Sequence, residues 1–249
     1  MLFSFFKKKS KKEPKVYENI TPLTVDVHSH LLPGIDDGAE TIEDSLEMLS
    51  KFAQYGYRKM ILTPHIMMDF YQNTPEIIMK QLDLLREAAL KKGIDIELEA
   101  AAEYYLDEGL IEKLENEEPL LTFGNRYLLF EMSYMNPSKW LDKAVFMMQS
   151  QGYKPVLAHP ERYTYLSRNY SELLELKEKG VHLQVNTLSL MGYYSKVSQN
   201  IAEKLIDDRV VSFIGSDCHK LKHADRLQEA QALRYYNKAL SLNLLNNSL

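Results

Sequence analysis

The sequence contains a single cysteine, Cys218, so no intramolecular disulfide can form; with eleven methionines and no secretion signal, the composition fits a reducing interior. It also lacks an excess of basic residues. The formal charge is −5, which gives no global reason to expect nucleic acid, whose binders carry a basic face. No apolar run approaches the roughly 20 residues of a membrane-spanning helix. Neither a repeat nor a linker divides the chain. What is present is 249 residues with 45% hydrophobic content, enough to bury one sizeable α/β core. The expectation is a cytoplasmic protein with one folded domain at 21–249.

The N-terminal stretch MLFSFFKKKSKKEPK stands apart. Its apolar part is short and its lysines follow it, the wrong order for a signal peptide. Two readings remain for residues 1–20. One is a flexible basic and aromatic tail. The other is weak contact of residues 1–12 with the inner membrane surface, Phe3, Phe5 and Phe6 inserted and Lys7, Lys8, Lys9, Lys11 and Lys12 against anionic lipid.

From residue 23 onward, short apolar runs alternate with longer amphipathic stretches, the signature of repeated βα units. The pattern predicts strands at 23–27, 59–62, 94–101, 127–131, 155–158, 181–185 and 210–214. Helices are predicted at 41–55, 75–91, 107–114, 137–149, 171–179 and 198–207, with Gly180 ending one of them and a long closing helix at 225–244. Seven strands, each followed by a helix, suggest a closed or nearly closed βα barrel. In such barrels the chemistry sits where strands end and βα loops begin.

Those strand ends are where metal-ligand types recur. His28 and His30 follow the first strand, His65 the second, Glu103 the third, Glu131 the fourth, His159 the fifth, and Asp217 with His219 the seventh. A single strand-end histidine is usually a hydrogen-bonded structural residue. Six strand ends converging on one face point instead to a metal site. Alternate residues on a strand project the same way, so His28 and His30 can reach one ion, and Asp217 with His219 repeats the geometry. The imidazole and carboxylate set suits Mn, Fe or Zn and does not select among them.

Quoted in order, DVHSHLLPGIDDGA, TPH, the glutamate of AAEYY, the glutamate of LLFEMS, AHPERY, LQVN and GSDCH resemble the PHP (polymerase and histidinol phosphatase) superfamily. Within it they are similar to the manganese-dependent protein-tyrosine phosphatases of the CpsB/CapC/YwqE type, which accompany bacterial polysaccharide-export tyrosine kinases. The resemblance runs from about residue 25 to 219. It implies a distorted (β/α)7 TIM-like barrel in a single domain and a trinuclear centre of divalent ions, manganese first, with Fe, Zn or Mg as alternatives. It further implies that His28, His30, Glu103 and Asp217 hold one ion and that Glu103 bridges to a second on Glu131 and His159. Asp37, His65 and His219 would hold the third, with Asp36 shaping the loop behind them. Relatives often carry a histidine where this chain has Ile66, a position outside the expected ligands.

Three divalent ions against four carboxylates leave a formal +2, to which an anionic phosphate is a natural guest. Held about 3.5 to 4 Å apart, such ions would polarise phosphoryl oxygens and would supply a hydroxide to attack phosphorus in line with the leaving phenolate. Arg162 in HPERY is a candidate clamp for the non-bridging oxygens, set against a surface pair with Glu161. Arg226, expected in the loop after GSDCH, is the family-position candidate for a second clamp. Asn186, closing LQVN, is expected to orient a ligand or a water. Tyr104, Tyr105, Tyr163, Tyr193 and Tyr194 lie near strand ends, as aromatic walls or as ordinary packing. Cys218 has Ala224 where a cysteine phosphatase needs an arginine, so it is read as a packed residue. His182 and His223 are assigned no role, the first inside a strand and the second in a loop.

The function expected is hydrolysis of phosphotyrosine on a protein substrate, the tail of a bacterial tyrosine kinase that controls capsule or exopolysaccharide synthesis. The alternatives are a small-molecule phosphomonoesterase of histidinol phosphatase type and a non-catalytic regulator that binds a phosphorylated tail. Nucleic acid is not an expected partner.

Overall fold

The computed structural model describes residues 20–249, so the tail expected at the N-terminus lies outside the described residues, Ile20 excepted. Among the described residues nine strands form: β1 (Val25–Asp26), β2 (Lys59–Leu62), β3 (His65–Ile66), β4 (Glu97–Ala100), β5 (Glu103–Tyr105), β6 (Tyr127–Glu131), β7 (Lys154–Ala158), β8 (His182–Asn186) and β9 (Phe213–Gly215). Helices α1 (Ile42–Gln54), α2 (Pro75–Lys91), α3 (Glu108–Glu115), α4 (Leu141–Ser150), α5 (Thr164–Arg168), α6 (Tyr170–Glu178), α7 (Lys196–Asp207), α8 (Leu221–Gln231) and α9 (Arg234–Leu240) connect them. Every ladder is parallel, in the orders β1-β2-β4 and β3-β5-β6-β7-β8-β9.

Nine strands arise from the seven expected because two paths are interrupted. β2 and β3 are separated by Thr63 and Pro64, and Pro64 has no N–H to give a ladder. β4 and β5 are separated by Ala101 and Ala102. The backbone partners continue across both gaps, Thr63 N–H donating to Ser29 O at 2.8 Å and Glu103 N–H to Pro64 O at 3.1 Å.

The α/β class and the order of the strands are as expected, but a continuous ladder does not close the ring. One isolated parallel bridge, Ser29 with Cys218, joins the first path to the last. Side chains complete the seam. Asn246, fully buried, donates to Val25 O at 3.0 Å and Ile214 O at 2.8 Å and accepts from Ile214 N–H at 3.1 Å. Asp26 accepts the N–H and the hydroxyl of Ser216 at 2.8 and 2.7 Å.

Alternation along the strands divides the core in two. Val25, Ile61, Leu129, Val156, Ala158 and Phe213 belong to a small buried cluster drawn mainly from the strands themselves. Their neighbours Met60, Leu62, Leu128, Phe130, Leu157 and Ile214 belong to a larger cluster that includes the apolar faces of the helices. Thr41 caps α1 with a reciprocal Asp44 bond, and Thr74 caps α2 ahead of Pro75. Gly180 follows α6 at φ +86°, the left-handed position expected of it. The long closing helix is a correction. It is two helices, α8 and α9, because Leu233 is extended at ψ 145°, and the Asn237 amide donates to the carbonyls of Gln231 and Leu233 at the break. No helix among the described residues is long and apolar enough to cross a membrane.

Candidate metal centre

Because all the ladders are parallel, their C-terminal ends lie together, and three overlapping groups of ligand-type residues meet there. Within each group the donor atoms lie within 4.8 Å of one another: His28, His30, Glu103 and Asp217; His30, Asp37, His65 and His219; His65, Glu103 and Glu131. The first group is the set implied by the resemblance. His30 also joins Asp37, His65 and His219, and His65 reaches Glu103 and Glu131 through Nδ1 at 3.2 Å each. His159 Nε2 lies 3.1 Å from Glu103 and 3.7 Å from Glu131. All nine sequence-predicted ligands are therefore brought together.

Their ring orientations are fixed from behind. His28 Nδ1 lies 2.7 Å from the Gln184 side-chain oxygen, which can only accept, so Nδ1 carries a proton in either charge state and Nε2 is the atom that would present a lone pair to a metal once the ring is neutral. Asp36 does the same for His30, its Oδ2 accepting from Nδ1 at 2.7 Å while also accepting His65 N–H at 3.1 Å. His219 Nδ1 donates to Asp217 O at 3.0 Å, leaving Nε2 3.4 Å from Asp37. The doublet is thus unequal. Asp36 is buried behind the histidines, and Asp37, its side chain 54% exposed, faces His65 and His219.

A chain of amides extends this support. Gln184 donates to Asn186 at 2.9 Å, and Asn186 donates to Asp217 Oδ2 at 2.7 Å. Asn186 thus orients a carboxylate, as anticipated. Gln184 and Asp26 were missed; the signal for Gln184 was present, since LQVN places Gln184 and Asn186 on one face of β8. His159 and Asp217 both sit in left-handed backbone, φ +33° and +50°, a strained region for non-glycine residues that clusters at functional sites. The loop before them is just as constrained. At Gly38 a Cβ would lie 1.9 Å from His30 O, so only glycine lets the chain pass the second histidine.

Arg162 donates from Nη1 to Asp217 Oδ2 at 2.7 Å, and its guanidinium lies between the rings of Tyr134 and Tyr194 at 4.5 and 4.2 Å. The anticipated surface pair with Glu161 does not form: Glu161 is buried and accepts from Asn186 N–H and Ser189 Oγ–H. Arg226 is a correction. It lies on α8, not in a loop, its Nη2 3.5 Å from Glu229 one turn on, and it does not line the cavity at the cluster. His223 is also on α8, where Nδ1 accepts His219 N–H at 3.2 Å and burial lowers its pKa to about 4. His182 is half-buried in β8 beside the Ser212 hydroxyl at 3.1 Å. Cys218 is fully buried beside Met48, and burial pushes its thiol pKa up, away from thiolate chemistry.

The cluster opens into a cavity of about 390 Å3 walled by Tyr71, Tyr105, Tyr134 and Arg162. Of the five anticipated tyrosines only Tyr105 lines it; Tyr104 and Tyr163 are buried and hydrogen-bond backbone groups, while Tyr194 lies under Arg162. Tyr71, stacked on His65 with centroids 5.5 Å apart, was not singled out.

The residues fit a metal. Glu103 Oε2 lies 3.1 to 3.3 Å from nitrogens of His28, His30 and His65, yet among the described residues it has no hydrogen-bond partner, and neither has the buried Nδ1 of His65. The Nε2 atoms of His28 and His30 converge to 3.2 Å. Donor atoms of one kind aimed at a common point are costly to bury unless a cation compensates them. Without one, protons take that role. Burial would lower the pKa of His28, but Glu103 and Asp217 outweigh it and raise it to about 9.

The chain matches the model of a family described as capsular polysaccharide synthesis, CpsB/CapC, over residues 24–245. It is 30% identical to the tyrosine-protein phosphatase YwqE of Bacillus subtilis over 198 residues, 80% of this chain and 78% of that protein. It is 28% identical to the putative tyrosine-protein phosphatase CapC of Staphylococcus aureus, covering 90% of each. A crystal structure from work on YwqE of Bacillus subtilis and CpsB of Streptococcus pneumoniae, described as metal-dependent tyrosine phosphatases, superposes with a TM-score of 0.76. That match is 28% identical and covers 88% of this chain and 95% of the other. With nearly its whole described length matched, the chain belongs to the CpsB/CapC family of capsular polysaccharide synthesis.

Proposed function

We propose that this chain is a metal-dependent protein-tyrosine phosphatase whose substrate is the phosphotyrosine tail of a bacterial tyrosine kinase in capsule or exopolysaccharide synthesis. The observation that carries the reading is the convergence of three histidine and carboxylate groups beneath one arginine and a collar of tyrosines. In this reading His28, His30, Glu103 and Asp217 hold one divalent ion, Glu103 reaches a second with Glu131 and His159, and Asp37, His65 and His219 hold a third. Manganese is the ion assigned, on the family resemblance; the nitrogen and oxygen donors also admit Fe, Zn or Mg. Bound there, such ions polarise phosphoryl oxygens and lower the pKa of water in the site.

The rest of the work falls to the chain. Arg162, held in place by Asp217 and two aromatic rings, keeps further N–H groups for the phosphoryl oxygens as charge spreads over them. Tyr71, Tyr105 and Tyr134 surround the space an aryl ester must occupy, and a short phosphoserine side chain leaves that collar empty. Gln184, Asn186 and Asp36 keep the ligand atoms aimed, so that binding requires little rearrangement. The protein is placed in the cytoplasm, where the thiol of Cys218 stays reduced.

The test is hydrolysis of a phosphotyrosine peptide, a phosphoserine peptide and histidinol phosphate, with Mn added and then chelated. Preference for phosphotyrosine that disappears on chelation and returns with Mn is expected. Chelation-resistant turnover, or preference for histidinol phosphate, overturns the reading.

A further inference from the structure

A second cavity, of about 560 Å3, lies beside the catalytic one and shares Tyr134 and Arg162 with it as a common wall. Its lining carries two arginines. Arg162 commits Nη1 to Asp217, and its other N–H groups have no hydrogen-bond partner among the described residues. Arg168, the last residue of α5, is exposed on the cavity and pairs with no carboxylate among the described residues. The first turn of α7 completes the wall: Ser195 caps it, Val197 and Ser198 line the cavity, and that turn carries no acidic residue to offset the helix dipole.

Two carboxylates oppose these groups, Asp217 on Arg162 and Glu161 at the cavity border. Glu161 borders the cavity from its buried position, with Oε1 taken by Asn186 N–H at 3.0 Å and Ser189 Oγ–H at 2.6 Å and Oε2 enclosed without a partner among the described residues. With Arg162 already paired to Asp217 and Glu161 held by its own hydrogen-bond donors, the exposed Arg168 and the helix end remain, which favours a guest with a single negative charge over a dianion. Consecutive residues of an extended peptide advance about 3.3 Å, so one strand spans adjoining cavities.

We propose that this second cavity is a recognition subsite for an acidic side chain, Asp or Glu, one or two residues from the phosphotyrosine of the substrate. The proposal rests on the phosphatase reading above and adds to it a preference for sequence around the phosphorylated residue. Arg162 then serves both cavities, and Arg168 reads the flanking carboxylate alone.

The experiment compares phosphotyrosine peptides that differ only in having Glu, Ala or Lys at the two positions on either side. The Mn-loaded full chain is assayed by kcat/KM, as wild type and as Arg168→Glu. Binding of the same peptides with a non-hydrolysable phosphonate in place of the phosphate is measured in parallel. The Glu peptide is expected to exceed the Ala peptide by about fivefold to tenfold in the wild type, the size of one well-formed arginine–carboxylate pair. Arg168→Glu is expected to reverse that order and favour the Lys peptide. Because each protein is judged by the ratio among its own peptides, a general loss of activity does not imitate the effect. Equal ratios in the two proteins overturn the subsite. Should no peptide be hydrolysed, the phosphatase reading fails by itself, and the phosphonate affinities still decide the subsite by the same ratios.

Discussion

Loading the centre with metal must expel protons, and the number expelled can be worked from the packing around His28. In the metal-free chain Glu103 and Asp217 hold the His28 pKa at about 9 and Asp36 helps hold that of His30 well above the usual imidazole value, both against burial. Both rings are then cationic at pH 7, whereas a metal ligand must be neutral. Filling this part of the site at pH 7 is expected to release about two protons. Displacing the His28 proton two units below its pKa costs about 3 kcal/mol, so apparent affinity rises roughly tenfold per pH unit between pH 7 and 9 from this ring alone. Calorimetric titration of Mn into chelator-stripped protein, in two buffers of different ionisation enthalpy, counts the protons directly. The stability of the stripped protein supplies a second check. The folded pKa of His28 lies above its unfolded value near 6.5, so its contribution is fully present below pH 6.5. It is lost as pH rises through about 9, a fall of about 3 kcal/mol. Release of less than half a proton per chain would refute the reasoning, because the histidines would then have been neutral before any metal arrived.

Asn246→Ala is expected to lower stability by about 3 kcal/mol in urea melts, since it leaves Val25 O and the Ile214 peptide groups unpaired at the seam. Asp37→Ala is expected to reduce the Mn stoichiometry measured by atomic absorption with little change in thermal midpoint, while Asp36→Ala lowers both, because Asp36 is the buried partner of His30. His182 has its pKa lowered to about 4 by burial, with Lys177 and Lys154 adding to the effect. Its contribution is therefore complete above pH 6.5 and declines as pH falls toward 4, and His182→Gln is expected to flatten the pH dependence of the urea midpoint in that window. Discounted for a half-exposed ring, the effect is about 1 kcal/mol.

Eight of the nine candidate ligands were legible in the sequence because they follow the C-terminal ends of strands, while Asp37 and the grouping into three sets came from the family resemblance. The paths of β6 to β9 and the helices α1 and α2 were legible for the same reason, since apolar periodicity and caps such as Thr41 and Thr74 act locally. What local pattern cannot carry is the response of one segment to another. The break between β2 and β3 depends on how Thr63 and Pro64 meet neighbouring paths. The left-handed backbone of His159 and Asp217 is imposed by the surrounding site. Arg226 was misplaced because the family position set it in a loop although the apolar pattern put it inside the closing helix, which begins still earlier, at Leu221. Tyr71 and Tyr134 lie in loops, whose path to the cavity mouth is set by tertiary packing.

The seam between the first and last strands has a consequence for biosynthesis. His28 and His30 leave the ribosome well before the groups that brace their strand, Ser216, Cys218 and Asn246, which are made roughly two hundred residues later. Until then the nascent chain holds two imidazoles with neither the seam nor Asp217 in place. Metal capture is therefore expected to be a late, largely post-translational event, which protects a growing chain from being trapped around an ion with half its ligands still unmade.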